Sequence, residues 1–303
     1  SGGLAFIDAH TKIKGGQATD VGAAPTPPSP GYDPDQINLT SRNKGNMVPF
    51  STIPFGYFVM PIDDSWHFGM GIYAPLGGKS KFKDDFAGRF QARKTEVTMV
   101  TFQPTISYKF NDMLSVGVGP TISYLDGTLS SHSLLFDPAT GIALGEAEYT
   151  AKGNDTAVGA NVGVLFQPYE NTTFGLTYKS ETRFKLSGDA RVSHRPNEVA
   201  NSIGVDLGTI KGDAKLKFTA PESIDFSFTH KFDDQWTLYA GAVWTRWSRL
   251  DTINVYDTLD LSAWGSSPTG VNPEEKVNFK DTWAYSIGGS YQVNPEWVLR
   301  AGF

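Results

Sequence analysis

Three pairs of adjacent aspartates, five histidines and one alternating row of charges are the residues of this chain with chemistry to offer. Asp63-Asp64, Asp84-Asp85 and Asp233-Asp234 are of the kind that can hold a cation or share a proton. Two of these pairs fall in short polar turns, where Asx residues have a purely conformational use. Asp84-Asp85 falls in a long loop and is the pair with room for a cation. His10, His67, His132, His194 and His230 are scattered, and His67 and His230 flank short turns, where a solvated ring is the plain reading. There is no Gly-x-Ser-x-Gly, no His-Glu-x-x-His, no phosphate loop and no cysteine. We therefore expect no enzyme, no cofactor and no metal centre. The row Lys179, Glu181, Arg183 and Lys185 alternates, which places all four on one face of one strand. On a luminal face, Arg183 and Lys185 have the charge to attract a carboxylate head group; a salt-bridge ladder with neighbouring strands is the competing use.

The elements that must carry these residues are strands. Val100, Phe102, Pro104, Ile106, Tyr108 and Phe110 share one face, and Thr101, Gln103, Thr105, Ser107 and Lys109 the other. Leu114, Val116, Val118, Ile122 and Tyr124 oppose Ser115, Gly117, Gly119, Thr121 and Ser123, and the next hairpin repeats the pattern. A soluble sandwich alternates too. Three features separate this chain from one. Aromatics such as Trp66, Phe110, Phe166, Trp236 and Trp297 bound the apolar faces near the turns, as a membrane girdle does. The runs are about 10–14 residues long, enough to cross a bilayer at a tilt. The opposite faces mix small and charged groups, which suits a wet lumen rather than a packed core. No run is apolar enough for a membrane helix, while an alternating strand averages near neutrality, in line with a mean hydropathy of −0.28. With 13% aromatic residues, 32 glycines and a net charge of −6, the composition fits an all-β transmembrane antiparallel barrel and argues against nucleic acid as a partner.

Five times a tight polar turn is followed at once by an aromatic or aliphatic residue, as in Asp63-Asp64-Ser65-Trp66 and Asn294-Pro295-Glu296-Trp297. Short turns on one side and long loops on the other give an orientation, with the turns periplasmic. We read eleven strands, near residues 3–13, 50–60, 65–75, 97–110, 113–125, 156–167, 172–187, 219–232, 235–248, 280–293 and 296–303. Bacterial single-chain barrels have even counts. The expectation is one barrel domain over residues 1–303, truncated at both ends. The long loops are expected at 14–49, 76–96, 126–155, 188–218 and 249–279, with a proline-rich extended segment at 25–34. Leu134, Leu135 and Phe136 in the third of these would be odd if exposed to water. Capture of a greasy ligand would explain them, and so would loop-on-loop packing.

Several stretches resemble one family. Lys81-Phe82-Lys83-Asp84-Asp85-Phe86-Ala87-Gly88-Arg89-Phe90 and the hairpin from Pro104 to Gly119 are similar to the FadL/TodX/OmpP1 outer-membrane transporters of hydrophobic compounds. Thr177 to Glu181, Pro221 to Trp236, Trp244 to Ser248 and Phe279 to Trp283 agree in order. The resemblance implies about 11 of an expected 14 strands, an N-terminal hatch outside this chain, capture among outer loops, a luminal pocket, and lateral exit at a kink in the third strand. Here that strand runs from Trp66 into Pro75, so Gly69, Gly71, Pro75, Gly77 and Gly78 are the expected gate. Basic groups are expected at the outer ends of the fifth and ninth strands; these regions read Leu125-Asp126-Gly127 and Arg249-Leu250-Asp251, so one base is lacking. The expected activity is passive uptake of long-chain fatty acids or aromatic hydrocarbons, by a monomer in contact with outer-membrane lipid and lipopolysaccharide. A structural or adhesive barrel and a general porin are the alternatives.

Overall fold

A computed structural model of the chain describes residues 2–9, 12–13, 45–84, 86–90, 93–137, 139–250, 252–264, 274–276 and 278–303. His10, Asp85 and the proline-rich segment lie outside the described residues. The strands are β1 (Gly2–Ile7), β2 (Lys12–Ile13), β3 (Gly45–Asn46), β4 (Ser51–Pro61), β5 (Trp66–Lys81), β6 (Lys94–Lys109), β7 (Leu114–Phe136), β8 (Ala143–Tyr169) and β9 (Thr172–Lys179). They continue as β10 (Thr182–Pro196), β11 (Thr209–Ala220), β12 (Ser223–Lys231), β13 (Trp236–Thr245), β14 (Thr252–Asp257), β15 (Glu274–Lys276), β16 (Thr282–Asn294) and β17 (Trp297–Gly302). One short helix, α1, spans Glu198–Ser202.

The main path runs β1-β4-β5-β6-β7-β8-β9-β12-β13-β16-β17, all antiparallel. These are the eleven strands that the alternation predicts. Exposed apolar side chains, including Val118, Ile122, Val158, Phe226, Tyr285 and Ile287, form a continuous outer band. From Phe110 to Val100 is ten residues, roughly 25 Å once tilted, the height of a bilayer-facing band. Aromatic pairs mark its inner rim: Trp66 against Tyr108 at 4.8 Å and Trp236 against Tyr291 at 4.6 Å between ring centroids.

Four of the five repeated turns are closed by their first side chain. Asp63 Oδ1 accepts the N–H groups of Ser65 and Trp66 at 2.8 and 2.7 Å, and Asp233 Oδ1 those of Gln235 and Trp236 at the same distances. Asn111 and Asn294 do likewise. These carboxylates therefore have a conformational role. Two prolines face each other across β6 and β7, Pro104 and Pro120, so neither strand asks the other for a hydrogen bond there. The strands close in at that point: a Cβ on Gly119 would lie 2.1 Å from the Pro104 carbonyl oxygen.

Of the expected loops, 126–155 and 188–218 prove to be largely sheet, and strands also extend into 76–96 and 249–279. β7 and β8 continue outward as a long hairpin to Phe136 and Ala143, and β10, β11, β14 and β15 add to its side. Alternation does continue through these segments, but above the band the outer face is polar and the inner face apolar. Leu125, Phe184, Leu186, Phe218 and Leu250 form one buried cluster there; Leu135, Tyr149, Val192, Val255 and Trp264 form a second.

Gly119→Ala is expected to cost about 1–3 kcal/mol, since backbone must move to admit it. Gly78→Ala, where a Cβ meets nothing within 4 Å, should be neutral. Urea unfolding in detergent micelles would separate the two.

Candidate functional site

Three irregularities lie at one level of the wall. In β5, Tyr73 pairs with Thr101 and Leu76 with Met99, so Ala74 and Pro75 bulge opposite Val100. Between β9 and β10, Ser180-Glu181 interrupts the strand, and between β11 and β12, Pro221-Glu222 does the same. Each break exchanges the odd and even faces. Lys179 faces the lumen, beside Asp225 (3.5 Å) and over the Tyr73 ring (5.8 Å), whereas Thr182, Phe184 and Leu186 are the buried side chains of β10. Arg183 and Lys185 consequently point outward. This corrects the expectation that they share a luminal face with Lys179; the alternation was read through a break that reverses it. Arg183 pairs with Glu181 and is 75% exposed.

The three breaks ring a cavity of about 250 Å³, lined among others by Tyr73, Pro75, Leu76, Ser180, Thr182 and Pro221. A row of hydrogen bonds runs along the inner wall beneath it, over β5, β6 and β8. The Tyr73 hydroxyl donates to Gln103 Oε1 at 2.6 Å, and Asn161 Nδ2 donates to the same atom at 3.1 Å. Gln103 reaches Asn161 because Gly119, which pairs with Asn161, has no side chain to stand between them. Below the row lies a second cavity of about 290 Å³, lined by Tyr57, Gly69, Gly71, Gln103 and Thr105. Above, between the outer strands, an apolar cavity of about 100 Å³ is lined by Val97, Leu129, Ala151, Leu216, Phe218 and Val255.

The wall beside the bulge is open. The β4–β5 ladder runs from Pro61↔His67 to Gly56↔Ile72 and stops. Beyond it, among the described residues, β4 pairs only with β1 and β5 only with β6, until Lys81 N–H meets the Met47 carbonyl at 2.7 Å. A window is thus framed by residues 48–55 and 73–80. Of the five expected gate residues, Pro75, Gly77 and Gly78 line it. Gly69 and Gly71 lie below, in intact ladder, where Gly71 makes room for the Tyr57 ring (3.1 Å from a Cβ).

Leu134, Leu135 and Phe136 are not a water-exposed groove. Leu135 is enclosed in the inner cluster with Tyr149 and Trp264, and Leu134 is buried on the outer face of the hairpin. A 3-10 turn at Ala87–Phe90 lies against β7 there, held by ion pairs. Arg89 Nε donates to both Glu146 oxygens at 3.0 Å, His132 Nδ1 lies 2.6 Å from Glu146 Oε2, and Arg93 reaches Asp84 at 2.7 Å and Glu148 at 3.3 Å. Asp84 is therefore matched by guanidinium groups, and among the described residues no cluster of three or more His, Asp or Glu gathers for a metal. His194 is structural: Nδ1 accepts from Leu207 N–H at 3.0 Å and Nε2 meets the Leu144 carbonyl at 3.1 Å. Arg249, the base expected near the ninth strand, is engaged by Glu181 (3.0 Å) and Glu222 (3.5 Å).

Over residues 1–303 the chain matches the family described as outer membrane protein transport protein (OMPP1/FadL/TodX). The chain belongs to this family. It is 26% identical over 282 residues to the long-chain fatty acid transport protein of Escherichia coli O6:H1, a match covering 86% of this chain and 61% of that protein. Outer membrane protein P1 of Haemophilus influenzae is 23% identical over 285 residues, covering 86% and 58%. The fold matches the crystal structure of a Pseudomonas aeruginosa FadL homologue, with a TM-score of 0.72, 23% identity and coverage of 86% and 61%. It also matches the Ralstonia pickettii toluene transporter TbuX, with a TM-score of 0.63, 22% identity and coverage of 87% and 71%. The chain thus spans about three fifths of the length of these curated relatives. As an OMPP1/FadL/TodX family member it is an outer-membrane β-barrel protein, and its apolar band and short turns orient it in the bilayer.

The sequence reading missed the Tyr73–Gln103–Asn161 row and the Arg89–Glu146–His132 pin. Gln103 and Arg89 stood in stretches that were read, but Asn161 lies 58 residues from Gln103 and Glu146 57 from Arg89, and both need the register to be found.

Burial would raise the Glu146 carboxyl, but hydrogen bonds with His132 and Arg89 outweigh it and hold the group at about 2, from an ordinary 4.5. A carboxyl lowered in the folded state contributes stability above its unfolded pKa and loses it as pH falls through the folded one. The outer hairpin should therefore loosen between about pH 4.5 and 2, seen as lost hydrogen-exchange protection around residues 143–150. Glu146→Gln should loosen the same residues at pH 7 and flatten this dependence.

Proposed function

We propose that the chain forms the wall of a passive outer-membrane path for hydrophobic molecules, long-chain fatty acids or monoaromatic hydrocarbons. Ligand enters among the outer hairpins, occupies the apolar outer cavity and the cavity beneath it, and leaves sideways between β4 and β5. The observation that carries this reading is the window at Gly56↔Ile72, with Pro75 and Leu76 of the adjoining bulge also lining the cavity inside. A lateral route spares a greasy molecule from crossing the polar lower lumen. The relatives named as a fatty acid transport protein and a toluene transporter support the substrate class.

Leu135 enters this reading as a wall residue: its cluster shares Ala151, Ala214 and Val255 with the apolar cavity. Pro75, Gly77 and Gly78 are the gate edge. Arg183 and Lys185, outside the barrel, are left out of the ligand path.

Cells carrying the gene should take up labelled long-chain fatty acid or toluene faster than cells without it, and equal rates for both would sink the reading for those substrates. Ala214→Phe, which puts a ring into the apolar cavity, should weaken ligand binding by about tenfold or more. Fluorescence titration with a labelled fatty acid would show this, with folding checked by electrophoretic mobility before and after heating.

A further inference from the structure

The outward face of β10 and β11 carries a concentration of positive charge that the transport path does not use. Register fixes its composition. Lys185 stands opposite Lys217, Ser187 opposite Lys215, and Arg183 opposite Thr219. On the neighbouring strand, Asn154 stands opposite Ser187, and Lys152 opposite Asp189. Like charges placed directly across an antiparallel pair are unfavourable by themselves. Among the described residues, none of Lys152, Lys185, Lys215 and Lys217 forms an ion pair, and all four are exposed. Arg183 is held by Glu181, and Asp189 and Asp213 oppose each other farther out. In a chain of net charge −6, the outward face of β10 and β11 is basic near the membrane, with Asp189 and Asp213 one step above.

Its depth follows from the same register. The apolar band on β8 ends at Val158, which is 66% exposed, and on β7 at Tyr124. The next outward residues on β8 are Thr156 and Asn154, and Asn154 is level with Ser187. Lys185 and Lys217 therefore sit one outward step beyond the band, and Lys215 two steps, roughly 7 and 13 Å along the strands. That is the depth of lipid head groups just outside the hydrocarbon core.

We propose that Lys185, Lys215 and Lys217, with Lys152 beside them, form a docking surface for the phosphate groups of the outer-leaflet glycolipid, lipopolysaccharide. Phosphates offer several acceptors at close spacing, which resolves the facing lysines, none of which is ion-paired to a carboxylate. The inference rests on the outer-membrane placement of the barrel and not on what the barrel transports.

The test is binding of the purified protein in neutral detergent to lipopolysaccharide carrying lipid A phosphates, to the same glycolipid with those phosphates removed, and to phosphatidylglycerol. Native mass spectrometry at two salt concentrations is the readout. The unaltered protein should prefer the phosphorylated glycolipid over both others, less so at high salt. The variant Lys185→Gln/Lys215→Gln/Lys217→Gln should bind it about 100-fold more weakly, and Lys185→Arg/Lys215→Arg/Lys217→Arg should retain binding. Equal binding of the dephosphorylated glycolipid or of phosphatidylglycerol by the unaltered protein would overturn the proposal, as would unchanged binding by the glutamine variant. Fatty-acid uptake does not enter this readout, so failure here leaves the transport reading standing.

Discussion

A pleated strand gives its odd residues to one face and its even residues to the other, and the architecture of this barrel follows from where that rule is kept and where it is broken. Along β6, along β7 from Leu114 to Leu135 and along β8 from Gly145 to Phe166 it is kept. The inward residues change instead, from Gly117, Gly119 and Thr121 to Leu125 and Leu129. At Ala74-Pro75, Ser180-Glu181 and Pro221-Glu222 it is broken, and the faces exchange. The two devices reach the same end. Below this level the lumen is polar and the outside apolar; above it the interior is apolar and the outside charged. One chain thereby builds a membrane wall and a greasy chamber on top of it.

Irregular backbone is costly in lipid, where water cannot satisfy unpaired N–H and C=O groups. The breaks are placed with that cost in view. All three lie at the upper edge of the apolar band, near Val158 and Tyr124, and two of them are patched locally: Ser180 N–H meets the Ala160 carbonyl at 2.9 Å, and Arg246 N–H meets the Glu222 carbonyl at 3.0 Å. The β4–β5 window is the exception, since the ladder ends at Ile72 and resumes at Lys81. It is tolerable because β5 keeps its ladder with β6 on both sides of the Ala74-Pro75 bulge, and because the opening faces a cavity rather than a packed core. The outer hairpins are held by packing and by the Arg89–Glu146 pin, so the chamber keeps its shape independently of the window.

Much of this was legible in the sequence. The eleven spanning strands and the closing turns followed from period-two alternation and from Asx residues ahead of aromatics. The outer strands did not, because above the membrane the polar residues lie outside and resemble loop composition; Thr128, Lys152 and Asn154 read as loop for that reason. Reversals of face leave little trace in sequence. Pro75 and Pro221 hint at two, but nothing in Lys179-Ser180-Glu181 marks the third, and Arg183 and Lys185 were therefore assigned to the wrong side. Pro75, Gly77 and Gly78 were legible as an edge because proline and glycine weaken ladders, while Gly71 shows the same residue type serving to clear space. Whether Leu135 faces ligand or protein was not decidable without knowing that Tyr149 and Trp264 close over it.

The central claim is that the window between β4 and β5 is the way out. The chain has no cysteine, so Ser51→Cys with Gly77→Cys gives a clean pair across its middle. Joining the two thiols with a short bifunctional reagent should abolish uptake of labelled ligand while leaving binding in the outer cavity intact, and a cleavable reagent should restore uptake when cut. Unchanged uptake with the window bridged would contradict the account.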